Sequence, residues 1–118
     1  MNIIDYEADF YGWTQQQAQL LRCKQIEQID WNHLAEEIED MGRSEKRELG
    51  SRLEILVMHL LKWQFQPNLR SRSCKLTIKE QRLRLEKLLE ESPSLKSCIE
   101  DVKGEIYPLA VISAEKET

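Results

Sequence analysis

Three side chains able to take part in ion-pair or acid–base chemistry are spaced seven residues apart: Glu45, Arg52 and His59. At about 100° per residue, they fall in or beside the sector of a predicted helix that holds the leucines between Leu49 and Leu60. A lone buried charge is costly, so these side chains need partners. The spacing predicts a buried polar layer that fixes helix register, with a subunit interface or a ligand site as alternatives.

A second group of chemically active side chains is basic. Arg70, Arg72 and Lys75 lie where a predicted loop passes into the third helix, close to Ser71 and Ser73. Cationic side chains at a helix N-terminus form a candidate anion-binding site for phosphate or sulfate. The alternative, which we favour, is that this surface meets the acidic first third of the chain.

Metal binding and nucleophilic catalysis have little support in the sequence. His33 precedes Glu36 and Glu37 by three and four residues, but the chain has no Glu-x-x-His pair and no HExxH. It also lacks a P-loop, GxGxxG and GxSxG. We therefore expect no catalytic residue, no metal and no cofactor.

The charge distribution is uneven along the chain. Residues 1–42 carry nine acids and two bases, residues 43–90 twelve bases and six acids, and the whole chain has a net charge of −4. We expect these segments to fold together and neutralise one another, and because the total is acidic we disfavour nucleic acid as a partner. The long second helix and its charged side chains lead us to expect self-association or binding to another protein. The three cysteines are widely spaced without a CxxC, which is typical of free thiols and predicts a cytoplasmic location. No apolar run approaches the roughly 20 residues of a membrane span.

Helical periodicity positions all of these groups. Apolar residues recur every three or four positions, Gly and Pro are rare, and no segment alternates like a strand, so we predict an all-α bundle of four to five helices in one domain, residues 1–118. The second helix, taken as one rod over residues 30–66, would be about 55 Å long. This length exceeds the size of a compact domain, and we predict a bend or break near Gly42. We expect the tail to fray from about residue 113.

Five segments along the chain carry a recognisable pattern: DFYGWTQQQAQLLR, LAEEIEDMGRSEKREL, HLLKWQFQP, RSRSCKLTIKEQR and SPSL. Together they resemble one bacterial family, catalogued as domain of unknown function twenty-nine and found largely in cyanobacteria and proteobacteria. The resemblance covers roughly residues 5–110. It implies a small α-helical protein of unassigned function and brings no catalytic residue or cofactor with it.

We accordingly predict a cytoplasmic bacterial helical-bundle module that associates with itself or another protein and has no catalytic activity. The first alternative is an accessory protein that binds nucleic acid or phosphate through the segment from Arg70 to Lys87. The second is an enzyme or metal protein built around Glu37, Glu45 and His59.

Overall fold

The fold class is the one that the periodicity predicts. A computed structural model describes residues 2–117, apart from the side chain of Leu69, and within this range it contains four α-helices and no strand. Short 3₁₀ turns at Ile26–Gln28, Pro67–Leu69 and Pro93–Cys98 connect them. The helices are α1 (Phe10–Arg22), α2 (Trp31–Phe65), α3 (Arg72–Glu91) and α4 (Ile99–Lys116).

Helix α2 runs without interruption through Gly42, so of the bend or break predicted there, the break is wrong. A glycine inside a helix costs at most about 1 kcal/mol relative to alanine, which strong helix formers on both sides can offset. A Cβ at this position would meet nothing within 4 Å, so no close approach explains the glycine.

The first of two compact units comprises Met1–Gly42. Its core holds Trp13 and Leu20 of α1, which are 2% and 1% exposed, together with Ile29. Asp9 begins α1 as its N-cap, because its carboxylate accepts from the amide of Gly12 at 3.0 Å.

The second unit comprises Arg43–Thr118, and its core is built from α2, α3, the turn before α4, and α4. The thiol of Cys74 near the start of α3 donates to the His59 carbonyl late in α2 at 3.8 Å. Leu49, earlier in α2, shares a buried cluster with Leu85 late in α3, so the two helices run antiparallel. The buried cluster at the centre of the unit consists of Leu49, Leu85, Leu88, Leu95, Val102 and Ile106.

The chain is still helical beyond residue 113, and the fraying expected there stays a prediction. Helix α4 continues to Lys116, and Ala114 is buried. Glu117 then accepts an ion-paired hydrogen bond from Lys62 of α2, which holds the end of the chain against the unit. None of the α-helices in residues 2–117 is both long and apolar enough to span a membrane.

Candidate functional site

The three heptad-spaced side chains do not form the predicted buried polar layer. Glu45 is exposed, which corrects the prediction that it points into the core. Arg52 is half-buried, and its Nε lies 3.8 Å from the Glu48 carboxylate one helical turn earlier. His59 is half-buried and donates from Nδ1 to the carbonyl of Ile55 at 2.9 Å. Each of these contacts lies within α2, and the contacts described for residues 2–117 do not join the three side chains into one site. The alternative that they belong to a subunit interface stays a prediction.

The basic segment, in contrast, lines a groove of about 900 Å³ along one side of α3. We call it the α3 groove. All three residues predicted to bind an anion are among its lining residues, and the one acid among them is Glu86. The cationic side chains of the groove are Arg70, Arg72, Lys75, Lys79 and Arg82.

The start of α3 positions the first of these cations. The Ser71 hydroxyl accepts from the amide of Cys74 at 3.0 Å and caps the helix. Arg70, just before the cap, donates from Nε to the Trp63 carbonyl at 2.6 Å, and its guanidinium carbon lies 5.2 Å from the centroid of the Trp63 ring. The hydrogen bond and the cation–π contact fix the guanidinium against the end of α2.

The floor of the α3 groove is apolar. Leu76 and Leu83 lie among the basic residues of α3, and their side chains are 52% and 57% exposed. Ile78, almost fully buried, and the half-buried Trp63 complete the floor. A cationic rim around exposed leucines is suited to a ligand that presents carboxylates beside apolar groups.

A second cluster lies in the first unit, where the rings of Tyr6 and His33 stack with centroids 4.1 Å apart. His33 donates from Nδ1 to the Asp30 carboxylate at 2.7 Å, and Asp30 also accepts from Trp13 Nε1 at 3.0 Å. The Tyr6 hydroxyl donates to Glu37. The cluster ties the N-terminal segment and α1 to the start of α2.

Titration behaviour follows from these contacts. The hydrogen bond to Asp30 raises the pKa of His33 above its ordinary value of 6.5, and the same bond lowers the pKa of Asp30 below 3.8. Negative charge on Glu36 and Glu7 adds to the rise in the His33 pKa. The hydrogen bond to Glu37 raises the pKa of Tyr6 to about 12. Each of these hydrogen bonds joins side chains of the first unit, so the cluster holds the segments of that unit together.

The described part of the chain holds no group of three or more His, Cys, Asp or Glu side chains arranged to bind a metal ion.

The family described as Domain of unknown function DUF29 matches residues 6–118, nearly the whole chain. The chain belongs to this family. No curated protein and no solved structure matches this DUF29 chain. The DUF29 assignment names no activity, so the functional argument depends on the geometry of the α3 groove.

The anion site predicted for this DUF29 chain, Arg70, Arg72 and Lys75, is only part of the groove, whose other cations lie in the longer basic segment predicted from Arg70 to Lys87. Lys79 and Arg82 continue the rim at steps of four and three residues from Lys75, which is the spacing of one helix face. Leu76 and Leu83 were not among the predicted site residues. Their seven-residue interval is the signal that could have identified a second apolar row on the same helix.

We predict that the stability of this DUF29 chain depends on pH through the Asp30–His33 pair. A raised His33 pKa stabilises the fold fully below 6.5, and this contribution is lost as the pH rises through the folded pKa. A lowered Asp30 pKa stabilises the fold above 3.8, and this contribution is lost as the pH falls through the folded pKa. The pair therefore contributes most between these two values.

Urea unfolding at about pH 5.5 and about pH 8.5 measures the alkaline side of this dependence. The wild-type free energy of unfolding should fall by more than that of His33→Asn between the two pH values. An NMR titration should place the pKa of His33 above 6.5, and Asp30→Asn should lower it. A His33 pKa at or below 6.5 in the wild-type protein would contradict the assignment.

Proposed function

We propose that this protein is a non-catalytic interaction module that binds an acidic, amphipathic segment of a partner protein in the α3 groove. The observation that carries the proposal is the combination of five cationic side chains with the exposed floor leucines Leu76 and Leu83. The cations supply attraction and orientation, and burial of the leucines supplies affinity at roughly 25 cal/mol per Å² of apolar surface.

The dimensions of the groove favour a helical ligand. From Arg72 to Glu86 it follows α3 for about 21 Å, at 1.5 Å per residue. A partner helix of four turns would lie along this length and place every third or fourth side chain on Leu76 and Leu83. This arrangement is the helix-in-groove mode, in which apolar anchors at i, i+3 or i+4, and i+7 enter a hydrophobic groove.

Nucleic acid is a less suitable ligand for the same groove. Single strands bind through aromatic platforms on which bases stack. One face of the Trp63 ring, the aromatic residue of the groove, already carries the Arg70 guanidinium. The exposed leucines offer no hydrogen bond to a base or a phosphate, and the chain as a whole has a net charge of −4.

A location in the bacterial cytoplasm is part of the proposal. Cys23, Cys74 and Cys98 are all free thiols. Thiols persist in reducing compartments, and an interaction module with unpaired cysteines is suited to one.

We expect the double charge reversal Lys79→Glu/Arg82→Glu to weaken binding of an acidic amphipathic helix at least about tenfold. Both side chains are exposed, so the fold should be retained. The assay is fluorescence anisotropy with a labelled synthetic peptide that has leucines at helical spacing and glutamates elsewhere. Affinity should fall with added salt because the rim charges are solvent-exposed.

The matched control is Lys96→Glu/Lys116→Glu, which makes the same change in net charge at exposed positions outside the groove. It should bind the peptide like wild type. A scrambled peptide of identical composition should bind more weakly, since it lacks an apolar stripe. If wild type fails to bind the peptide, the proposal is overturned. If a single-stranded RNA or DNA oligonucleotide binds more tightly than the peptide and in a salt-sensitive way, the proposal is overturned in favour of nucleic acid.

A further inference from the structure

We infer that the occupant of the α3 groove is the first third of α2 from a second copy of this chain. The inference rests on the proposed function and names its partner. The contacting surface, which we call the α2 stripe, consists of Trp31, Leu34, Ile38 and Met41.

The α2 stripe is an apolar helix face that the chain itself leaves open. Trp31, Ile38 and Met41 are 55%, 57% and 61% exposed, and Leu34 is half-buried. At about 100° per residue, the four side chains fall within a sector about 80° wide. An exposed apolar row of this kind on a soluble helix marks an interaction surface.

The charge of the surrounding segment complements the groove. Residues 31–42 carry four carboxylates and no lysine or arginine, within a first unit whose residues carry nine acids and two bases. The α3 groove presents five cations and one acid. Two copies of the acidic segment would repel each other, and so would two cationic grooves. The favoured contact therefore joins the acidic segment that carries the α2 stripe to the α3 groove.

The apolar rows also agree in spacing. Trp31 and Ile38 are seven residues apart on α2, and Leu76 and Leu83 are seven residues apart on α3. Both intervals correspond to about 10.5 Å along a helix axis. Two rows of equal interval interdigitate along two helical turns, as the apolar rows of paired helices do.

Symmetry allows the contact to be made twice. In a dimer with twofold symmetry, the stripe of each protomer enters the groove of the other, which doubles the buried area and leaves neither surface open. A reciprocal exchange of this kind closes at two copies, whereas a single unreciprocated contact would propagate into a chain of copies.

Complementation between two variants of the full-length protein tests the inference. Ile38→Asp disables the stripe, and Lys79→Glu/Arg82→Glu disables the groove, each at exposed positions. By sedimentation velocity, wild type should dimerise, and each variant alone should dimerise at least about tenfold more weakly because both of its contacts are damaged. An equimolar mixture should form a heterodimer, since one stripe and one groove remain intact.

The control is Leu109→Asp, which places the same charge on an exposed apolar residue of α4 and should leave the dimer intact. A wild-type protein that stays monomeric, or a mixture that gains no heterodimer, overturns the inference. If the acidic peptide still binds the groove in that case, the proposed function survives with a different partner. If the peptide also fails to bind, both proposals are wrong.

Discussion

Leu49→Ala is expected to lower the free energy of unfolding by about 2–5 kcal/mol. Leu49 is 0% exposed and lies among side chains from α3 and α4, including Leu85 and Val102. Removing its isobutyl group forfeits the transfer free energy of the lost carbons. It also leaves a cavity, which the surrounding helices can fill only in part because they are already closely packed.

Leu83→Ala is the matched control, because it removes the same atoms from a side chain that is 57% exposed. Its free energy of unfolding should stay within about 0.5 kcal/mol of wild type. Urea unfolding followed by far-ultraviolet circular dichroism measures both. A loss below about 1 kcal/mol for Leu49→Ala would show that it is not the centre of this core.

This control also separates function from stability. Leu83 contributes little to the fold, yet its exposed side chain lies on the floor of the α3 groove, which Lys79 and Arg82 also line. At 57% exposure, the side chain of Leu83 buries less than half of its surface within the chain. A variant at this position that binds poorly and unfolds normally would therefore assign the leucine to the interface.

The helices could be predicted from the sequence because their determinants are local. Periodic leucines in α2 and α3, together with Pro67 and Pro93 at the intervening turns, fix where helices begin and end. The break at Gly42 was wrong for a related reason. Its prediction used a global argument about domain size, and the local preference of the flanking residues for helix outweighed it.

Glu45 shows why periodicity alone cannot place a site. Its angular position on α2 matches that of the buried leucines, so the sequence put it in the core. Periodicity gives the direction of a side chain but not whether another element covers that direction. Leu49, one turn later, is the first residue of α2 that is fully buried, and Glu45 remains exposed.

Contacts between distant segments were beyond the reach of the sequence. The Tyr6–Glu37 hydrogen bond joins residues 31 positions apart, and no local pattern signals it. The cations of the α3 groove were predictable, since they share a helix face. Its floor was not, because placing Trp63 beside Arg70 depends on the turn between α2 and α3.

Trp13→Ala is expected to cost about 3–5 kcal/mol in the first unit. Trp13 is 2% exposed, and its ring packs edge-on against Tyr6 with centroids 4.9 Å apart. Its indole N–H donates to the Asp30 carboxylate at 3.0 Å. Alanine would remove the largest side chain of this small core and also leave the carboxylate without one of its donors, which adds to the cavity cost.

Native-state hydrogen exchange of the α1 amides measures the effect where it arises. Trp31→Ala is the matched control, since it makes the same chemical change at a tryptophan that is 55% exposed. At protein concentrations too low for association, this variant should change the free energy of opening of the α1 amides by no more than about 0.5 kcal/mol. Trp13→Phe should fall between the two, because a ring is retained while the donor to Asp30 is lost. Equal effects of Trp13→Ala and Trp31→Ala would mean that Trp13 does not hold α1 against the rest of the first unit.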